Sequence, residues 1–400
     1  MKRLPARLLV VAASLPPEIT GGAVVLGRMM RGVDPHDYRL ASFDPPMAPA
    51  PGKTLPARTF RVRRPWRADV AREPLGVLSR MRGLRRTCVE AARRARDMLR
   101  IVRRESCEAL FVATGTAPDL LAGAIAARYA RLPLIVAMYD HWRLQNQHLL
   151  GHALAGVLLE RAIVGSAQAV IVSTERLRDD LWREHGVEAV VIPHLFDADP
   201  ALREVAPGPW PTDPAAPTVV YTGQVYAAQL DSVARLVDAF ENPALDPWRL
   251  HIHGSVAPLP DFVRQSRVIG HTASDAAAIA AIQRQADILF LPLAFASPYP
   301  ALVNSSLPTK TIEYMGAGRP ILVHAPPDSY LAEFTRQTGF AELVDQPAPE
   351  QIAQAILRLT SDPVLRQERI DRARALLPRF STERGWELMR VVLSNAVGRA

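Results

Sequence analysis

Cysteine is nearly missing. Only Cys88 and Cys107 occur in 400 residues, and no CxxC or comparable spacing offers a thiolate metal site or a disulfide framework. A reducing cytoplasm is the expected setting. Aromatic residues make up 6% and glycine numbers 22, which excludes a collagenous or glycine-rich low-complexity chain. No apolar run approaches the ~20 residues of a membrane-spanning helix. Lys2, Arg3 and Arg7 ahead of Leu8 to Ala13 have the outline of a signal peptide. That run is short for an h-region, however, and SLPPEITGG (14 to 22) reads better as the loop between a buried strand and its helix. GxSxG, Walker A and HExxH motifs are also missing. GAGRP (316 to 320) follows a helix rather than a strand, so it is no dinucleotide fingerprint, and nicotinamide redox chemistry is disfavoured.

Lysine is scarce as well: Lys2, Lys53 and Lys310 are the only ones among 48 basic residues, in a chain of net charge +8. The basicity is local. Arg58 to Arg104 holds 16 arginines against Asp69, Glu73, Glu90 and Asp97, a net +12, so the remainder of the chain is acidic on balance. Within this stretch Leu78, Met81, Cys88, Ala92, Ala95, Leu99 and Val102 recur at helical spacing, which predicts an amphipathic helix over 76 to 104 with arginines on its flanks. A solvated face packed on a sheet explains such a helix. So does adsorption to an anionic membrane surface, worth ~1 kcal/mol per basic residue near the headgroups. Nucleic acid is not expected as a partner, because no recognition helix, RRM or OB signature and no interleaved aromatics accompany the charge.

At 48% hydrophobic, the chain can fill the cores of two ordinary domains. Short apolar runs at 7 to 13, 38 to 43, 108 to 113, 132 to 140, 167 to 174 and 188 to 194 alternate with helical patterns at 23 to 31, 76 to 104, 118 to 130, 146 to 165 and 175 to 185. This is the rhythm of a doubly wound parallel α/β domain. From Asp197 to Pro217 the periodicity stops among six prolines, predicting a linker. The rhythm restarts at 218 to 223, 249 to 254, 267 to 271, 287 to 293, 320 to 325 and 340 to 345, and helical patterns at 351 to 360, 364 to 377 and 383 to 396 close the chain. Domains are expected at 1–196 and 218–380, joined by the linker 197–217. The expected ligand site lies at the carboxyl ends of the strands, in a cleft between the domains.

The most specific segment is SSLPTKTIEYMGAGRP (305 to 320). Ser305 and Ser306 lie near a helix start, whose free N–H groups suit an anionic diphosphate. Lys310 adds a full positive charge. Glu313 lies on the same face ~4.5 Å further along the axis, the step from a diphosphate to its ribose, where a carboxylate can accept both hydroxyl hydrogens. The alternative is an ordinary surface Lys/Glu pair.

This segment resembles the donor-site motif P-x-K-x-x-E-Y/A-M-A-x-G-x-P of the retaining GT-B nucleotide-sugar glycosyltransferases (glycosyltransferase family 4-like, glycosyl transferases group 1). The resemblance extends along the chain. Gly21 and Gly22 look like the family's N-terminal glycine loop, IVSTERLRDDL (171 to 181) like its S-E-x-L segment, and IPHLFD (192 to 197) like I-P-N-G-V-D, with His194 and Leu195 in place of Asn and Gly. YTGQVY (221 to 226) opens the second domain as in the family. FSTERGWELMRVVL (380 to 393) is similar to the terminal helix that returns to the first domain.

The resemblance implies two Rossmann-like domains and donor-binding roles for Gly223, Gln224, Gly254, Ser305, Ser306, Lys310 and Glu313. Base contacts are expected from the backbone of Val268 to His271. Asp140 or His141, following the strand LPLIVAMYD, would orient the acceptor hydroxyl and the sugar, with Asp140 first because it directly ends the strand. The implied reaction is metal-independent transfer, with retention, from a nucleoside diphosphate sugar to a glycan or lipid-linked acceptor, in bacterial surface polysaccharide synthesis. The enzyme would need no cofactor and could lie on the inner face of the plasma membrane. The donor half departs from the family as well: Gln224, Gln229 and Leu230 stand where relatives often carry a diphosphate-clamping Arg and Lys, and Ser305 replaces the earlier of two glutamates. A non-catalytic nucleotide-binding or scaffolding subunit is the alternative. His251 and His253 share a strand face as metal ligands might, but with no third partner in sequence they read as packing residues.

Overall fold

Runs of four or five mainly apolar residues, LLVV, ALFVA, LIVAM, ILFLP and ILVH among them, form strands buried along their whole length. The computed structural model describes residues 2–18, 20–43, 54–62, 77–113, 117–142, 150–196, 210–254, 267–271 and 276–398. Most of the proline-rich loop Pro45 to Pro56, the linker up to residue 209, the start of the basic stretch at 63–76 and the proposed helix start at 146–149 lie outside the described residues. The chain forms two units: Met1–Leu195 with Thr382–Ala400, and Phe196–Ser381.

Unit 1 carries β1 (Leu8–Val11), β2 (Tyr38–Ser42), β3 (Thr59–Arg61), β4 (Ala109–Ala113), β5 (Leu134–Met138), β6 (Ala169–Val172) and β7 (Val190–Val191). They form a parallel sheet in the order β3-β2-β1-β4-β5-β6-β7. Its helices are α1 (Gly21–Met29), α2 (Val77–Glu105), α3 (Ala117–Ala130), α4 (Leu150–Ser166) and α5 (Glu175–His185). One face of the sheet packs on Ala95 and Met98 of α2, Leu120 of α3 and Val164 of α4. The other packs on Leu26 and Met29 of α1 and on Met389, Val392 and Leu393 of the terminal helix Thr382–Gly398. Strand β3 escapes the hydropathy pattern because its three residues are exposed or half-buried.

Unit 2 carries β8 (Thr218–Thr222), β9 (Arg249–His253), β10 (Val268–His271), β11 (Ile288–Pro292), β12 (Ile321–His324) and β13 (Glu342–Val344), parallel in the order β10-β9-β8-β11-β12-β13. Its helices are α6 (Leu230–Ala239), α7 (Ala276–Gln285), α8 (Pro300–Ser305), α9 (Lys310–Ala317), α10 (Tyr330–Thr338), α11 (Pro349–Ser361) and α12 (Pro363–Leu376). In each unit the strand order reverses, between β1 and β4 and between β8 and β11. At such a reversal the loops leaving neighbouring strands run to opposite sides of the sheet, the usual place for a ligand in an open parallel sheet.

The buried face of α2 is the expected one only in part: Ala95 and Val102 are buried and Leu99 packs against the core, but the rest of the stripe does not turn inward. Ala92 is exposed, Met81 is 59% exposed and Cys88 is exposed, while Thr87, Glu90, Ala91, Arg94 and Met98 are buried. Before Ala95 the inward face is shifted by about one residue, where a charge network is drawn inside. Arg94 is fully buried and donates from Nη1 to Asp119 Oδ1 at 2.7 Å and from Nε to Glu90 Oε1 at 3.2 Å. Removing one member of such a pair strands a charge away from water, which costs on the order of 3–5 kcal/mol. Asp119→Ala should therefore lower unfolding stability by about that amount in urea denaturation, and Arg94→Met with Asp119→Leu together by much less. Equal losses for the single and the double variant would refute the buried-charge account.

Candidate functional site

In unit 2 the site is built on the turn that leaves β8. Gly223 has φ +118°, a conformation open to glycine, and its N–H donates to the His253 carbonyl at 2.7 Å. A Cβ at this position would lie 2.2 Å from Cε and 2.7 Å from Nζ of Lys310. The lysine therefore lies directly on the glycine backbone, with Nζ 5.5 Å from the Tyr221 ring centroid.

Tyr314, one helical turn beyond Lys310, fixes that placement. Its Oη accepts from the Thr222 N–H at 3.0 Å and shares a hydrogen with Thr222 Oγ1 at 3.2 Å, and Gln283 Nε2 donates to the same Oγ1 at 2.9 Å. Tyr221 Oη donates to the Gln224 carbonyl at 2.8 Å, holding the far side of the turn. Burial pushes both phenols well above the ordinary tyrosine range, so they stay protonated as donors. The Gln224 side chain is exposed, and Gly254 is buried with its N–H donating to the His271 carbonyl at 3.1 Å. Glu313 is half-buried in the first turn of α9.

Ser305 and Ser306 do not open the lysine's helix. They close the preceding one: Ser305 ends α8, is buried, and donates from Oγ to the Ala301 carbonyl at 2.9 Å, while Ser306 is its C-cap, with its N–H on the Leu302 carbonyl at 3.1 Å. Back-bonding to the carbonyl four residues earlier commits that hydroxyl hydrogen inside the helix. Pro308 stands just ahead of the next helix, its carbonyl accepting from the Thr311 N–H at 2.9 Å. Thr309 makes no side-chain cap, so no N-cap side chain competes for the first-turn amides around Lys310.

In unit 1, Gly21 and Gly22 are the first residues of α1, whose N-cap Thr20 accepts from the Ala23 N–H at 3.2 Å. A Cβ at either glycine would meet nothing within 4 Å, so the helix start is open. Asp140 follows β5 by two residues and has no partner among the described residues. Burial alone pushes its carboxyl up to about 6. His141 faces elsewhere: it is 5% exposed, and its Nε2 lies 3.0 Å from Asp180 Oδ2 on α5, a carboxylate also held by Arg183 Nη2 at 3.0 Å. The ring is tied to α5, and Asp140 alone keeps an uncommitted carboxyl.

Two neighbours went unrecognised in the sequence reading. Asp180 lies in the segment IVSTERLRDDL, and only the packing of α5 shows its role. His194, visible only as a departure from the family's asparagine, has its ring centroid 6.3 Å from that of Tyr139; burial, helped by Arg28, holds its imidazole down to about 4, so it is neutral.

The histidine reading also changes. His271 on β10 is the third partner that His251 and His253 lacked: it pairs in register with His253, its Nε2 is 2.9 Å from His251 Nδ1, and its ring stacks on His253 at 4.1 Å between centroids. Strand spacing along the sequence cannot show that β10 lies beside β9.

Residues 216–362 match the family model described as Glycosyl transferases group 1, a stretch that contains Gly223, Gln224, Gly254, Ser305, Ser306, Lys310 and Glu313. No curated protein sequence matches the chain. Among solved structures, a sucrose-phosphate synthase from Thermosynechococcus elongatus is 16% identical over 99% of this chain and 100% of its own, with a TM-score of 0.68. The Anabaena protein HepE, in complex with UDP and glucose, is 16% identical over 97% and 99%, at 0.65. A glycosyltransferase from Rickettsia africae is 11% identical over 99% and 100%, at 0.61. The likeness is one of fold: two doubly wound α/β units, as in the GT-B glycosyltransferases.

Gly223→Ala should lower the melting temperature, since the new methyl meets Lys310 and the backbone is strained. In a Lys310→Ala background the same substitution should lower it by less. Equal losses in both backgrounds would refute the Gly223–Lys310 contact.

Proposed function

Because the chain has the GT-B fold and its second unit is matched by the group 1 glycosyltransferase model, we propose that it transfers a sugar from a nucleoside diphosphate donor to a hydroxyl of a glycan or lipid-linked acceptor, with retention and without a metal in the chemical step. A place in bacterial surface polysaccharide synthesis follows from the same family resemblance. The observation that carries the proposal is Lys310, laid on the positive-φ turn of Gly223 where the strand order of unit 2 reverses. The solved complex of HepE with UDP-glucose supports the donor class.

In this reading the C1–O bond to the diphosphate breaks while a bond from the acceptor oxygen to C1 forms on the same face, and the acceptor proton passes to the departing phosphate oxygen. The growing charge on the diphosphate meets the Lys310 ammonium and the amides of the Gly223 turn and the α9 start. These groups are already fixed by Tyr314 and Tyr221, so stabilisation needs little rearrangement. Glu313 takes the ribose hydroxyls. Asp140, as a carboxylate, accepts a hydrogen bond from the acceptor or the transferred sugar, and His141, tied to Asp180, positions the loop that carries it.

Calorimetry with UDP-, GDP- and dTDP-sugars should find one that binds, and Lys310→Ala should weaken it by at least about tenfold, as loss of a charged hydrogen bond does. Binding to none of the three classes overturns the proposal. Asp140→Asn should leave that binding intact and slow transfer ~10²-fold or more. The wild-type rate should fall as pH drops through about 6, where the raised Asp140 carboxyl takes up its proton. Exposed Gln224 and inward-turned Ser305 favour a second reading, a nucleotide-binding scaffold. Donor binding without any sugar release would establish it.

Arg80, Arg82, Arg85, Arg86, Arg96 and Arg103 are exposed along α2. We assign them to an anionic lipid surface on the cytoplasmic side. The protein should co-sediment with phosphatidylserine-containing vesicles and not with phosphatidylcholine alone, an effect lost in high salt. Equal recovery with both vesicle types would exclude it.

A further inference from the structure

We propose that His251, His253 and His271 form a binding site for a single first-row divalent transition ion of the zinc class, distinct from the donor turn in its ligands. The three rings come from adjacent parallel strands, project from one face of the sheet, and bring one nitrogen each to within 4.8 Å of the others. Ring planes are within 14° of one another, with centroids 5.2 Å apart for His251 and His271 and 4.1 Å apart for His253 and His271.

Plain packing leaves one feature unexplained. His253 is 7% exposed, and its Nδ1 is buried without a hydrogen-bond partner. A nitrogen lone pair or N–H held away from water in that way is costly unless something completes it. The contact between His251 Nδ1 and His271 Nε2 at 2.9 Å uses one proton and one lone pair, which leaves the trio short of a partner at His253.

An ion supplies that partner. Imidazole nitrogens suit zinc, copper, nickel and cobalt, with metal–nitrogen distances of ~2.0–2.1 Å, and neutral rings are the ligating form. Burial favours that form in all three rings here. An ion lies in the plane of each ring that ligates it, so binding requires the 2.9 Å pair to open and the His253 and His271 rings to turn out of their parallel stack. His251 and His253 also line a cavity of about 290 Å³ shared with Asp213 and Asp287. That leaves room beside these two rings for a water or an anion in the ion's fourth position.

The site has a mechanical consequence. The main-chain carbonyls of His253 and His271 accept from the N–H groups of Gly223 and Gly254, so an ion that ties the two rings together also braces both turns. The inference does not require the proposed transferase activity. Its ligand is the metal alone, and its readouts are spectroscopic and thermal.

The full chain, stripped with a chelator, is titrated with Co²⁺ and followed by visible absorption, then competed with Zn²⁺, while thermal unfolding is recorded in parallel. One equivalent of Co²⁺ per chain, with the intense bands of a four-coordinate nitrogen-rich site, is expected. Zn²⁺ should displace it and raise the melting temperature. His271→Ala and the milder His271→Asn should abolish the bands. His185→Ala, at the separate Glu160–Glu184–His185 group, should keep them. Circular dichroism confirms that the variants are folded. Absence of bands in the wild type, or bands that persist in both folded His271 variants, overturns the proposal. Loss of bands with unchanged nucleotide-sugar binding leaves the transferase reading intact.

Discussion

Everything in unit 2 that bears on chemistry depends on one hydrogen-bonded clamp, the Tyr314 hydroxyl on the backbone and side chain of Thr222. It fastens the first turns of α9 to the carboxyl end of β8, and the turn beyond β8 then has space only for a glycine beneath the lysine. A phenol is well suited to this task. Buried, it keeps its proton, and it adds no charge of its own beside the ammonium. Gln283, reaching the same threonine from α7, makes the clamp three-sided. The ammonium is thus placed by neutral groups among the described residues.

Unit 1 relies on an opposite device. Its longest helix is oriented by an ionised pair with no access to water, Arg94 with Asp119. The pair fixes which face of α2 turns inward, and the other arginines then fall on the solvent side as a consequence. Charge inside sets the register, and charge outside is what the register leaves over.

The central strands and the two-unit plan were legible in the sequence because buried parallel strands leave continuous apolar runs, and TVVYTG or LPLIVAM announces itself without any partner being known. The lysine and glutamate of α9 were legible for a related reason: helical spacing alone puts them on one face. Contacts made across chain segments were not. Ser305 and Ser306 read as part of a helix start, because serine commonly caps one, yet they close the preceding helix and the next begins beyond Pro308. His271 could join His251 and His253 only once β10 was known to flank β9. The stripe on α2 misled by one residue because Arg94 reads as a surface residue until Asp119 is placed beside it.

Asp140 combines a raised proton affinity with the absence of a described neighbour to offset its charge. Its ionisation works against the folded state: the native form holds the proton more tightly than an unfolded chain does, so unit 1 gives up some stability as pH rises from the ordinary carboxylate value of 3.8 to about 6, and no more above it. Any bound hydroxyl that donates to this carboxylate favours the anion and restores that stability. Ligand capture near pH 6 is then thermodynamically linked to expulsion of a proton into the buffer, so the heat of association should vary with the buffer's own ionisation enthalpy.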